Sequence, residues 1–197
     1  MTSFKRKGFT LVELLIVIVV IGVLSTMMML SSTEAVTSAK AAKIISNMRN
    51  LKTATLAWYT DNFNKIVPLN GQYGIGYGII QSNGQTVSMN DFFKNNTSEI
   101  LAYLSNGNNS GAMTLKTKRD TNIVADDYVI KDVDTYKKWY ICYYVGNDKR
   151  LQEKLASKAE SLGMLGIKTI ADDIKSNTKN IYTNHNFACV MILSLGD

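Results

Sequence analysis

The chain has 197 residues, is 46% hydrophobic, and carries 22 Lys or Arg against 16 Asp or Glu for a net charge of +6. One proline, 13 glycines and two cysteines exclude collagen-like repeats, long intrinsic disorder and a dense disulfide scaffold. This length holds one ordinary domain, or a smaller domain plus an anchor, and leaves almost no room for a multi-domain enzyme.

The apolar residues are unevenly spread. Of the 22 residues from Phe9 to Leu30, 17 are apolar, and Leu14 to Ile21 is apolar without interruption. As a helix rising about 1.5 Å per residue, the run would be about 33 Å long, enough to cross a bilayer core. Lys5, Arg6 and Lys7 precede it, so the positive-inside rule places the N-terminus in the cytoplasm and the residues after Leu30 outside. A cleaved secretory signal would have a shorter apolar core and a small-residue cleavage site, and Ser25 to Leu30 offers none.

Glu13 stands inside this run. A carboxylate at the bilayer centre costs about 2.5 to 3.5 kcal/mol on insertion scales, and less near an end. Glu13 either reaches the cytoplasmic interface or finds a cation. Cleavage after Gly8 would supply one, the new α-amino group of Phe9 one helical turn away.

The string Lys7-Gly8-Phe9-Thr10-Leu11-Val12-Glu13-Leu14, with the apolar run behind it, resembles the class III leader of type IV pilins and pseudopilins. The resemblance is close over about the first 30 residues and looser to about residue 60. It implies cleavage by a prepilin peptidase between Gly8 and Phe9, N-methylation of Phe9, and a role for Glu13 in subunit assembly. Many relatives carry a proline where this chain has Leu30. Gly22 is then the residue of weak helix propensity in the run, suited equally to local helix flexibility and to close helix packing.

Beyond Leu30 an amphipathic helix is predicted to about residue 60. Ala41, Ile44, Ile45, Met48, Leu51, Thr55 and Trp58 recur every three or four residues, with Lys40, Lys43, Asn47, Arg49, Asn50 and Lys52 between them. The Asn-, Gly- and Ser-rich stretch from Asp61 to Gly111 reads as a connection with a loop at Asn70 to Gly78 and a short helix around Thr97 to Leu104. The loop's glycines lack the Lys-Ser or Lys-Thr of a phosphate loop. Strands are predicted at Thr121 to Ala125, Tyr128 to Val133, Lys138 to Val145 and Asn186 to Leu195, with a turn at Asp126-Asp127. A helix is expected from Asp148 to Leu162, ended by Gly163 and Gly166, with a second short helix over Thr169 to Lys175.

Together these give an α+β fold in which a long N-terminal helix packs on an antiparallel sheet of about four strands, as in pilins. The expected divisions are a leader at 1–8, a transmembrane and polymerisation helix at 9–30, an amphipathic helix at 31–60 and a globular head at 61–197.

Cys142 and Cys189 fall in predicted strands on the exported side, where a pair can oxidise. The resemblance favours a bridge, since many type IV pilins have one near the C-terminus, and closing about 46 residues would stabilise the head by roughly 3 to 4 kcal/mol. Two buried thiols are the other reading. His185 is the sole histidine, so a histidine metal cluster is impossible and a catalytic triad has one candidate base. Asp120, Asp126, Asp127, Asp132 and Asp134 lack calcium-loop spacing. Lys116, Lys118 and Arg119 read as ordinary surface, not a specific nucleic-acid site.

No cofactor, metal or catalytic set is therefore expected. The resemblance implies a structural subunit of a type IV pilus-like filament. Its partners would be copies of itself, other pilins, the prepilin peptidase, the membrane and a pilus or secretion assembly platform. It would be a single-pass inner-membrane protein with a cytoplasmic N-terminus before assembly, and part of an extracellular or periplasmic filament after it. A pseudopilin of a type II secretion system is the alternative within the family. A membrane-tethered extracytoplasmic binding module or enzyme is the alternative from another class, and it would require a clustered polar site.

Overall fold

The computed structural model describes residues 9–69, 77–104, 113–117, 120, 122–133, 138–171, 174 and 181–194. Contacts divide the chain into two compact units, with the boundary between Ala39 and Lys40.

The first unit holds the beginning of α1, a helix running over Leu11–Asn62. Its apolar side chains from Leu11 to Met28 are exposed. The polar residues here satisfy themselves, since the hydroxyls of Ser25 and Thr26 donate to the carbonyls of Ile21 and Val23 at 2.7 and 2.8 Å. Such internal pairing lets hydroxyls sit in an apolar helix without an unsatisfied donor.

In the second unit the remainder of α1 is a core element. Ala41, Ile44, Met48, Leu51, Ala54 and Trp58 are buried at the spacing the periodicity predicts. A 3-10 turn, Phe63–Lys65, follows, and then an antiparallel three-stranded sheet of β1 (Ile66–Pro68), β2 (Tyr77–Ile80) and β3 (Thr86–Ser88) in the order β1-β2-β3. The composition of this stretch predicts only a connection, because its strands are too short to show an alternation. Gly78 has a packing reason, because a Cβ on it would lie 2.6 Å from both Leu69 Cδ2 and Val87 O. The predicted loop at Asn70 to Gly78 therefore ends in a strand at Tyr77, while residues 70–76 lie outside the described residues.

Helix α2 spans Met89–Ala102, longer than the helix predicted at Thr97 to Leu104. Ser88 caps its start, accepting from Asp91 N at 3.2 Å. Asn96 interrupts it with non-helical φ −129° and ψ 24°.

The main sheet has the order β4-β5-β6-β8-β7, built from β4 (Leu115–Thr117), β5 (Tyr128–Val133), β6 (Lys138–Tyr144), β7 (Leu165–Ile167) and β8 (Phe187–Ser194). It is antiparallel except that β4 runs parallel to β5. The sheet thus has five strands where about four were predicted. The strand expected at Thr121 to Ala125 is absent over the described residues 122–125. The edge of β5 is occupied by β4, leaving Asn122 to Ala125 no ladder to join. Asp126 instead makes a turn at φ 73°, a left-handed conformation that aspartate tolerates better than most residues.

Helix α3 spans Lys149–Leu162, close to its predicted range. Asp148 caps it by accepting from Leu151 N at 3.1 Å, and Gly163 ends it at φ 59°. Gly166 does not terminate the helix. It lies in β7, where a Cβ would sit 2.4 Å from His185 Nδ1, so the imidazole occupies the space a side chain would need. The short helix predicted over Thr169 to Lys175 is not formed at the described positions Thr169 to Ala171 and Ile174. A segment that short gains little from helix nucleation, and the buried Lys131 Nζ donates to the carbonyl of Ile170 at 2.6 Å.

Both faces of the central strands are covered. Trp139, Ile141 and Tyr143 of β6 join α1, α2 and α3 in the larger core. Tyr140 and Cys142, facing the other way, pack with Val129, Ile167, Ile174, Phe187 and Cys189 in a second cluster. This two-sided burial explains why β6 reads as a continuous apolar run.

Candidate assembly site at the start of the long helix

The site is built on the first turn of α1. Thr10 is the residue before the helix and Glu13 lies in its first turn. Glu13 Oε2 accepts from Thr10 N at 2.8 Å and from Thr10 Oγ1 at 2.9 Å, while Thr10 Oγ1 accepts from Glu13 N at 3.2 Å. This reciprocal pairing is a capping box, and it satisfies helix-end donors that would otherwise lack partners. The negative charge also lies at the favourable end of the helix dipole.

Sequence reasoning attended to Glu13 and missed Thr10. The signal was present, because Thr-x-x-Glu before an apolar run is the sequence form of a capping box. Phe9, immediately before the cap, is 86% exposed. Gly8 lies outside the described residues. Gly22 is helical, and a Cβ built on it meets nothing within 4 Å.

α1 is the one helix among the described residues long and apolar enough to cross a membrane, by length and composition. The carboxylate is held at the edge of this apolar segment. A partly engaged acid there can keep its helix end ordered and still present a second oxygen to a cation.

The head places the other residues singled out in the sequence. Cys142 and Cys189 are direct cross-strand partners and form a disulfide, with Cα atoms 4.0 Å apart and both residues fully buried. Lys116 pairs with Asp127 at 2.7 Å, and Asp120 and Asp127 accept backbone N–H groups of Thr117 and Val124 at 2.6 and 2.7 Å. Lys118, Arg119 and Asp134, and the side chain of Asp132, lie outside the described residues. No group of three metal-ligating side chains occurs among the described residues. His185 packs beside Tyr182, whose hydroxyl donates to the His185 carbonyl at 3.0 Å.

A polar network fastens the core segment of α1 to the sheet. Asn47 Nδ2 donates to the Tyr128 hydroxyl at 3.0 Å, the Tyr143 hydroxyl donates to Asp126, and Lys40 pairs with Asp126 at 3.1 Å. The Tyr143 hydrogen bond, aided by Lys40, holds the Asp126 carboxyl below the usual range. Burial pushes the Tyr128 phenol up to about 12 and raises Tyr143 and Tyr182 further.

An exposed apolar helix with a capped, carboxylate-bearing start, in a chain that also folds an α+β unit, fits a membrane-anchored class of protein. Residues 3–29 match the family described as the prokaryotic N-terminal methylation motif. That motif is the class III prepilin leader, the kind of leader carried by type IV pilins and pseudopilins. No curated protein matches the chain. No solved structure matches it.

Proposed function

We propose that this chain is a structural subunit of a type IV pilus-like filament. The observation that carries the reading is the methylation motif over residues 3–29, together with the helix that begins at Leu11 within it and exposes its apolar side chains from Leu11 to Met28. A prepilin peptidase cuts between Gly8 and Phe9, and Phe9 is N-methylated. Glu13, already ordered by Thr10, pairs with the N-terminal amine of a neighbouring subunit as helices bundle. The role is structural and not enzymatic.

Before assembly the protein is a single-pass inner-membrane subunit with its N-terminus in the cytoplasm. Afterwards the helices form the filament core, the heads form its surface, and an assembly platform supplies the work. A buried disulfide between directly paired strands suits a head folded outside the cytoplasm.

Mass spectrometry of the mature protein is expected to show loss of residues 1–8 and a methylated Phe9. An intact Met1 overturns the processing. Electron microscopy of sheared fibres labelled with antibody to the head then tests the filament. Long labelled fibres support the pilus reading, and processed protein without surface fibres replaces it with a secretion pseudopilin.

A further inference from the structure

The head contains a concave site of about 540 Å³ unrelated to the first turn of α1. It is bounded by the end of α1, the 3-10 turn, β2, the turn between β2 and β3, and α2. Its volume lies within the range of small-molecule sites. Buried Ile79 and Phe92 supply its apolar part, and Phe92 is fixed by ring contacts at 5.4 Å to Trp58 and 5.9 Å to Phe93.

The polar groups around it are held in place by the protein. Asn62 Nδ2 donates to Trp58 O at 2.9 Å, while its Oδ1 accepts from Lys65 Nζ at 3.0 Å. Asn96 stands at the interruption of α2, and its Nδ2 donates to Phe92 O at 2.8 Å. Glu99 Oε2 accepts from Trp58 Nε1 at 3.1 Å. For Asn96 and Glu99 one end of a planar group is spent on the scaffold, which orients the other end in advance, and Asn62 positions Lys65. The remaining oxygens of Asn96 and Glu99 are acceptors, and Lys65 retains N–H donors.

We propose that this pocket binds a neutral saccharide. Sugar hydroxyls both donate and accept. They can give hydrogen bonds to the oxygens of Asn96 and Glu99 and take them from Lys65, while a C–H face of the ring lies against Phe92 and Ile79. Lys65 and Glu99 carry opposite charges, so the site has no net preference for an anion or a cation. Its volume exceeds what a single ion needs. A hydrocarbon would leave the amide and carboxylate oxygens desolvated and unpaired, which is unfavourable.

The test uses the full chain in a zwitterionic detergent without a sugar headgroup, applied to surfaces bearing maltotriose, lactose, chitotriose or mannotriose. Retention on at least one surface is expected. It should weaken at least tenfold in Glu99→Gln, which can still accept from Trp58, and in Ser82→Trp, which fills the mouth from an exposed turn. Near-ultraviolet circular dichroism checks that each variant folds. Lys65→Gln, an exposed change on the rim, serves if either does not. No retention on any surface overturns the proposal, as does retention that the folded variants leave unchanged. Preferential retention on a spermidine surface also overturns it by making the site cationic in preference.

Discussion

Residues 11–28 of α1 expose their apolar side chains, whereas residues 41–58 of the same helix bury Ala41, Ile44, Met48, Leu51, Ala54 and Trp58. The first stretch is apolar nearly all round and exposes those side chains, while the second confines its apolar residues to one face. Identical backbone geometry therefore serves two solvents. What differs is whether the sequence leaves polar residues between the apolar ones. Lys43, Arg49 and Lys52 make the later stretch a helix for water and core, and their absence makes the earlier one a helix for lipid or for other helices.

The strongest way to break this comparison is to truncate a large side chain on each stretch. Trp58→Ala is expected to destabilise the head by about 3 to 5 kcal/mol, since the ring is almost wholly enclosed and contacts Phe92, Phe93 and Trp139. Val19→Ala should leave head unfolding unchanged. Denaturant titration followed by circular dichroism reads both, and equal effects would refute the division.

Charge gives the reverse test. Val19→Lys places a cation near the middle of the exposed apolar run, at a cost of about 2.5 to 3.5 kcal/mol for membrane insertion. Carbonate extraction should release more of that variant than of Thr53→Lys, where the new charge faces water.

A titration sharpens the account of the head alone. Tyr128, Tyr143 and Tyr182 have phenols raised by burial, so folding favours their protonated forms. The sign follows directly. Their contribution is fully present below the unfolded value near pH 10 and is lost as pH rises through the folded values, starting with Tyr128 at about 12. Head stability should fall progressively above pH 10, followed by phenolate absorbance in step with unfolding. Flat stability to pH 12 would count against these phenols being enclosed.

The smallest effect belongs to the start of α1. Thr10→Ala removes one half of the capping box and should cost about 1 kcal/mol of local helix stability. Faster amide exchange at residues 10–13, with no change in the head, is the expected readout.

The features legible in the sequence were those carried by local pattern. The leader motif, the buried stripe of α1, the extent and glycine stop of α3, and strands β5, β6 and β8 each have a spacing or composition signal spanning several residues. The three-residue strands β1, β3, β4 and β7 do not, because so few positions cannot establish an alternation. Their pairing is decided by distant partners. Asn122 to Ala125 shows the converse, a segment with strand-like residues whose neighbouring ladder was already taken. Thr10 was missed because the apolar run dominated the reading of Glu13. The amide-lined pocket was hidden for a different reason, since Asn62, Ile79 and Asn96 come from separate elements and share no sequence pattern.

The enclosed bridge between β6 and β8 also governs when its sulfurs can react. Both cysteines are fully covered once the second core cluster has closed around them, so an oxidant has no route to the thiols of a finished head. The thiols are open to an oxidant in the unfolded chain, and in a folded head only through local opening of that cluster. Once formed, the bridge is beyond the reach of dissolved reductants for as long as Ile167, Ile174 and Phe187 stay packed over it.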